Sequence, residues 1–375
     1  MKKKILILTG TRADYGKLKS IILALQKLKN FETHVLVTGI HNLKFYGYTY
    51  LEIIKDKIKN VHILKNQSYG DKPEKIFQNS IKVSRKILNR VKPELIIVHG
   101  DRIEPLALSI VANLKNIKLA HFEGGEVSGT IDESIRHAIT KLSHIHFVTN
   151  KKAKVRIQQL GEDKKNIFIT GSPDVDLILS KRLPSILKSK NKYDLIYDDY
   201  AIAILHPVST ETTENHKKFA KIFFESLKET SLNYLVLYPN NDLGSNHIMM
   251  ELQKIKNNKN FKVLPSLRFE YFLTLLKHSK FIIGNSSSGI MEAPYYGVPC
   301  INIGSRQHNR SKSKSQININ FRKKIIIETI KKIKKKKKTK KIFGFSDSSK
   351  KFVKQIKSKK IWNLSNQKFF RDIKW

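Results

Sequence analysis

Four carboxylates, Glu123, Glu126, Asp132 and Glu133, fall within "EGGEVSGTIDE" at 123–133, between two apolar runs. A loop that leaves a buried strand and opens a helix is where catalytic acids and bases sit in an α/β protein, so these groups are placed to take and give protons. They are not equivalent. Glu123 directly follows a buried strand and precedes Gly124 and Gly125, a place where a carboxylate without a purpose is less expected. Thr130-x-x-Glu133 has capping-box spacing, which gives Glu133 a structural role. Asp132 lies in the first helical turn, where the dipole favours its charge; that suits a base and equally suits an ordinary helix start. Glu126 has no evident role. Arg136 and His137 follow on the helix, and each reads as the partner of a nearby acid.

Other groups offer anion-binding chemistry. "LTGTRADYGKL" (8–18) turns from strand to helix through Gly10, exposing helix N-terminal N–H groups, with the Arg12 guanidinium beside them. The same turn is also compatible with an ordinary connection and a solvent-facing arginine, and it lacks the GxGxxG dinucleotide fingerprint. "VHGDRIEPLAL" (98–108) puts Asp101 and Arg102 at a strand's carboxyl end, where they either serve a ligand or pair and cap. "ILHPVSTE" (204–211) leaves His206 at a strand end, and "YPNNDLGSN" (238–246) has turn composition. In "IIGNSSSGIMEAPYYGVPCINIGSRQ" (282–307), Gly284 to Gly289 open a short helix whose small residues let N–H groups and hydroxyls approach a diphosphate. A plain N-cap serine cluster is the simpler account of that stretch. Glu292 comes one helical turn later, in reach of a ribose, and Arg306 leaves the next strand.

These groups need strands to end beside helices that begin. Apolar runs at 5–9, 33–39, 94–100, 117–125, 145–150 and 166–173 read as buried parallel strands, with helical stretches at 14–29, 74–91, 104–115, 131–143 and 151–160 between them. After a polar, lysine-rich stretch the pattern restarts, with runs at 200–209, 232–240, 261–266, 280–287 and 298–304. The alternation predicts an α/β fold of two Rossmann-like doubly wound domains facing across a cleft, divided as 1–173 and 174–350, with 351–375 expected as a C-terminal helix that packs back on the first domain.

Composition narrows the class. A chain of 375 residues with 40% hydrophobic residues supports two cores. Its single Cys300 lies in an apolar run, which excludes a disulfide framework and fits a reducing cytoplasm. "MKKKILILT" is basic and then apolar, but the apolar part is shorter than a signal core and reads as a first strand. No run reaches a membrane span. The net charge of +41 points toward nucleic acid, but 25 Lys and Arg against 3 Asp and Glu lie from Ser305 onward. No nucleic-acid module or interleaved aromatics accompany the lysine run at 331–341, so it reads as a solvated basic helix face.

Taken in order, "TGTRADYGKL", "HGDR", "HFEGGEVSGTIDESIRHAITKLSHIHFV", "GSPDVD", "HPVSTE", "YPNNDLGS", "GNSSSGIMEA" and "GVPCINIGSRQ" resemble the hydrolysing UDP-N-acetylglucosamine 2-epimerase family. The resemblance spans residues 5 to 307, and departs from the family at Asn309, where a Gly often precedes the second arginine. It implies a GT-B-like fold, a UDP-sugar substrate, neither metal nor NAD, and a homo-oligomer. It further implies elimination of UDP to a glycal, followed by hydration. Carried over residue by residue, it makes Asp101, Glu123 and Asp132 the acid/base set. Arg12, Arg102, His206, Asn240, Ser266, Ser286, Ser287, Glu292 and Arg306 become the UDP-contacting set. A glycosyltransferase of the same fold, and a basic protein binding nucleic acid or anionic surfaces, are the alternatives that the sequence leaves.

Overall fold

A strand buried on both faces reads as an unbroken apolar run, and such runs make up most of two parallel sheets. The computed structural model describes residues 2–307, 310, 313, 315–334, 343–344 and 347–372. The first sheet consists of β1 (Lys3–Thr9), β2 (Phe31–Val37), β3 (Val61–Ile63), β4 (Leu95–His99), β5 (Lys118–Phe122), β6 (Ile145–Val148) and β7 (Ile167–Ile169). Its order is β3-β2-β1-β4-β5-β6-β7, with every pairing parallel. The second holds β8 (Ala201–Ile204), β9 (Tyr234–Leu237), β10 (Phe261–Leu264), β11 (Ile282–Gly284), β12 (Cys300–Ile303) and β13 (Gln316–Ile319), in the order β10-β9-β8-β11-β12-β13, again parallel. The strand order of each sheet reverses once, between β1 and β4 and between β8 and β11. The loops leaving those strands diverge there and open a crevice at their carboxyl ends. The expected doubly wound, GT-B-like α/β fold is therefore present in both halves.

Two edge strands were absent from the sequence reading. β3 and β13 are short and only partly buried, so neither carries the apolar run that marks a central strand.

The chain divides into two compact units, Met1–Glu126 with Asp132–Ser180 and Ile342–Trp375, and Val127–Ile131 with Lys181–Lys341. Residues 174–180 and 342–350 thus belong to the first unit, rather than the second half in which the sequence division put them. The reason is local bonding. Phe343 accepts the Ser172 N–H at 2.8 Å, and the Asp176 carboxylate accepts the N–H groups of Ser348 and Ser349 at 2.9 and 2.8 Å. Residues 335–341 of the lysine run, and Asn309, lie outside the described residues. No helix among the described residues is long and apolar enough to cross a membrane.

In the first unit β1 shows the period of a strand: Ile5 and Ile7 face one core, Leu6 and Leu8 the other. The helix Ser348–Lys357 fills the first of these cores with Phe352 and Ile356, both fully buried. The Phe352 ring lies 5.4 Å from that of Phe122 and 5.1 Å from that of Phe147. Phe352→Ala should destabilise the first unit by about 3–5 kcal/mol. The check is its urea midpoint, and an unchanged midpoint would show that the C-terminal helix adds nothing to this core.

Candidate active site

The first unit places five of the expected site residues at or just beyond the carboxyl ends of β1, β4 and β5. Thr11 caps the helix Arg12–Gln26, accepting the Asp14 N–H at 3.1 Å, and Arg12 pairs with Glu52. Asp101 and Arg102 follow β4, Glu123 follows β5, and Asp132 opens the helix Ile131–Leu142.

Glu123 has an unusual backbone. Its φ is +62°, in the left-handed region where a side chain other than glycine is strained by about 1 kcal/mol or more. Gly125 follows at φ +76°, and a Cβ there would lie 2.4 Å from the Ala153 carbonyl, so only glycine fits. The turn delivers the Glu123 carboxylate, 4% exposed, into a network of charges. Lys17 Nζ lies 3.3 and 3.1 Å from its two oxygens, the Ser172 hydroxyl donates to Oε1, and His99 Nε2 faces Oε2 at 3.2 Å. On the far side of His99, Nδ1 lies 2.7 Å from Asp14 Oδ1, while Asp14 Oδ2 accepts the Gly10 N–H at 3.0 Å.

Burial alone would raise the Glu123 carboxyl. Lys17 and then His99 outweigh it and hold the group well below the usual carboxylate range. Burial likewise pulls His99 down, but Glu123 and Asp14 reverse the shift and raise it to about 9. Carboxyl groups and cationic groups thus alternate along this series, from Asp14 through His99 and Glu123 to Lys17, with each side chain nearly buried.

Asp101 belongs to a second network. It pairs with Arg136, which is 1% exposed and also donates to the Glu126 carbonyl at 3.0 Å. Burial works against the Arg136 charge, and Asp101 more than offsets it, with Glu126 and Asp132 adding. One guanidinium thus pairs with Asp101 and feels the charge of Asp132. His121 fixes the turn before Asp101: burial keeps it neutral, with its pKa lowered to about 3, and its Nε2 lies 2.8 Å from the Gly100 carbonyl. Asp101 therefore pairs with Arg136, a partner from the helix after β5. Arg102 stands 3.7 Å from Glu104. His137 sits 3.5 Å from Glu133, as expected of a helical partner. Glu126, unassigned from sequence, is buried and accepts from Thr149 and from Asn150, the N-cap of the next helix, so it anchors the loop.

In the second unit the loops leaving β8, β9, β11 and β12 meet around one amide. Asn285 Oδ1 accepts the His206 N–H at 2.7 Å and its Nδ2 donates to the His206 carbonyl at 2.8 Å. The Asn285 carbonyl accepts from Gln307 at 3.0 Å and from Arg306 at 3.4 Å. Asn240 donates its backbone N–H to His206 Nδ1 at 3.1 Å, so a neutral His206 carries its proton on Nε2. Gly284 makes this approach possible: its φ is +127°, and a Cβ would lie 2.0 Å from the Ile204 carbonyl. Ser286 and Ser287 are half-buried at the start of the short helix Ser288–Met291, which Glu292, 2% exposed, closes. Ser266 follows β10, at the sheet edge and two strands from β8. The structure thus joins His206, Asn240 and Arg306 through Asn285, sets the two serines beside it, and leaves Ser266 outlying.

Sequence reasoning missed Lys17, His99, Asp14, Ser172 and Asn285. The signal for Lys17 was available: it shares the buried face of its helix with Asp14, Leu18 and Ile21. A lysine on an apolar stripe needs a buried anion. Among the described residues no three His, Cys, Asp or Glu are grouped to hold a metal ion.

The charged state of His99 is checkable by NMR. A histidine raised to about 9 contributes stability that is fully present below about pH 6.5 and is lost as pH rises through 9. The His99 ring should stay protonated through neutrality, and Asp14→Asn should move its midpoint down by a unit or more, about 1.4 kcal/mol per unit. A wild-type midpoint near 6.5 would contradict the ion-pair network.

The sequence signature described as UDP-N-acetylglucosamine 2-epimerase matches residues 23–357. A UDP-N-acetylglucosamine 2-epimerase of Neisseria meningitidis is 42% identical to this chain, over 99% of each. A UDP-N,N'-diacetylbacillosamine 2-epimerase (hydrolyzing) of Legionella pneumophila is 33% identical over 85% of each. A polysialic acid biosynthesis protein of Escherichia coli is 31% identical, covering 88% of this chain and 85% of its own. The fold is similar to that of a solved UDP-GlcNAc 2-epimerase from Neisseria meningitidis bound to UDP-GlcNAc, with a TM-score of 0.79 at 20% identity, over 94% of this chain and 99% of that one. A sequence match over most of the chain, on a fold of two doubly wound sheets, identifies this protein as a member of the UDP-N-acetylglucosamine 2-epimerase family.

Proposed function

We propose that the protein is a hydrolysing UDP-sugar 2-epimerase of nonulosonic acid biosynthesis. Its substrate is a UDP-linked 2-acetamido sugar: UDP-N-acetylglucosamine, giving N-acetylmannosamine, or UDP-N,N'-diacetylbacillosamine, giving the corresponding 2,4-diacetamido-6-deoxy sugar. In the first step the C2 hydrogen passes to a carboxylate, the C1–O bond breaks and UDP leaves, forming a C1–C2 double bond. In the second, water adds its oxygen to C1 and a proton returns to the other face of C2.

The observation that carries this reading is the Glu123 carboxylate, held ionised while 4% exposed by Lys17 and His99. A proton acceptor must be present as its anion at working pH, and strained placement of that anion is characteristic of a reacting group. Asp101, paired with Arg136, and Asp132, whose charge Arg136 feels, are partly exposed and are the groups proposed to activate water and return the proton. Arg12 and Arg102 carry charge suited to a diphosphate, and His206, Asn240, Ser266, Ser286, Ser287, Glu292 and Arg306 are proposed to hold the nucleotide. The hydrolysing outcome draws support from the activity named for the Legionella pneumophila relative, and the pathway from that named for the Escherichia coli protein.

Incubation of the purified protein with each UDP-sugar, following UDP and the sugar products, tests the proposal. It predicts stoichiometric UDP and a free 2-epimerised sugar from one of the two. An equilibrium mixture of two UDP-sugars would instead make the enzyme a non-hydrolysing epimerase. No UDP release without an added acceptor, and transfer of the sugar to that acceptor once it is supplied, would favour a glycosyltransferase.

Glu123→Gln and Asp132→Asn should each lower kcat by about 10²–10⁴-fold while UDP still binds, whereas Arg12→Ala should chiefly weaken nucleotide binding. Steady-state kinetics with calorimetric titration of UDP separate these effects. Near-normal turnover by Glu123→Gln would remove that acid from the mechanism.

A further inference from the structure

The Glu123 network contains a third carboxyl group. Asp174, in "GSPDVD", is 1% exposed, and neither of its carboxylate oxygens has a hydrogen-bond partner. Its nearest cation is Lys17, whose Nζ is 4.0 Å from Asp174 Oδ2 and 3.1 Å from Glu123 Oε2. One ammonium therefore lies against two carboxyl groups and is nearer to one of them. The hydroxyl of Ser172 also acts on both acids, but its hydrogen bond goes to Glu123. The charged groups that face Asp174 are Lys17 from the first helix, His99 from the end of β4 and Glu123 from the end of β5. The helix Ser348–Lys357, which packs on the segment Val175–Ile178, gives its first N–H groups to Asp176 instead.

Charge counting decides the state of Asp174. Asp14 and Glu123 already balance His99 and Lys17. A third anion would leave the buried cluster net negative, met only by the Ser172 hydroxyl and the Lys17 ammonium that it would share with Glu123, whereas a neutral acid leaves it balanced. Burial pushes the Asp174 carboxyl up; Lys17 opposes that shift and Glu123 adds to it.

We propose that Asp174 is a positioning residue for Glu123: it stands as a neutral acid beside Lys17, so the ammonium stays with Glu123. As pH rises and Asp174 loses its proton to solvent, two carboxylates compete for one ammonium, and their repulsion displaces the Glu123 side chain. The positioning role rests on the epimerase function proposed above; the neutral state of Asp174 does not.

Three readouts test this. In the infrared spectrum at neutral pH in D2O, the wild-type protein shows the C=O stretch of a protonated carboxylic acid, and Asp174→Asn lacks it. An acid whose folded pKa is raised contributes stability that is present below its unfolded pKa and is lost as pH rises. Asp174→Asn therefore unfolds at the same temperature as wild type near pH ~4 and several degrees higher near pH ~7. Asp174→Ser, smaller and also uncharged, shows the same trend with pH if the asparagine variant does not fold. In UDP release, wild type loses kcat on the alkaline side, and Asp174→Asn keeps it to higher pH with KM within twofold. Absence of the carboxylic acid band together with a pH-independent stability difference overturns the neutral-acid assignment. The band with superimposable rate profiles overturns the positioning role alone. Absence of turnover in both proteins overturns the function and the positioning role together, while the band and the unfolding temperatures still decide the charge state.

Discussion

A carboxylate removed from water survives as an anion only if cations are brought to it, and the first unit is arranged around that constraint at Glu123. Lys17 comes from the helix after β1, His99 from the end of β4 and Glu123 itself from the end of β5. Parallel strands with helices between them present all three ends on the same edge, beside the point where strand order reverses. Asp14 completes the balance by holding the far nitrogen of His99, and it is held in turn by the Gly10 N–H. The left-handed backbone at Glu123 is sustained by the same bonds, since relaxing it would withdraw the carboxylate from two cations.

The second unit solves a different problem with the same topology. There a single buried amide, Asn285, joins the loops after β8, β11 and β12, while Asn240 from the loop after β9 orients the His206 ring, which holds the polar groups proposed to take the nucleotide. Gly284 is the enabling residue, because any side chain there would strike the carbonyl of Ile204. In both units, then, the chemistry-bearing side chains are fixed by backbone and buried polar partners rather than by their immediate neighbours in sequence.

That distinction explains what could be read in advance. The apolar runs at 94–100 and 117–125 announced β4 and β5, and hence placed Asp101 and Glu123 at strand ends. The helix from Ile131 began where Thr130 and Glu133 predicted. The partners were not legible, because they depend on which strand ends meet: His99 looked like one more residue of an apolar run, and nothing local to Asp101 showed that the fold brings Arg136 to it. β3 and β13 were missed because edge strands bury too little to need an apolar run. The segments 174–180 and 342–350 were assigned by composition, whereas the bonds from Asp176 to Ser348 and Ser349 decide where they fold. Lys17 is the instructive case, since a lysine on a buried helical face was visible in the sequence and required an anion that Glu123 supplies.

The proposed reaction requires that the C2 hydrogen leave the sugar. The most direct measurement is to run the reaction to completion in D2O with the accepted UDP-sugar and examine the free product by NMR and mass spectrometry. Abstraction by a buried carboxylate, followed by proton return from solvent-exchanged groups, predicts one deuterium at C2 of the 2-epimerised sugar. Product that retains its original hydrogen at C2 would contradict elimination, and with it the role assigned to Glu123.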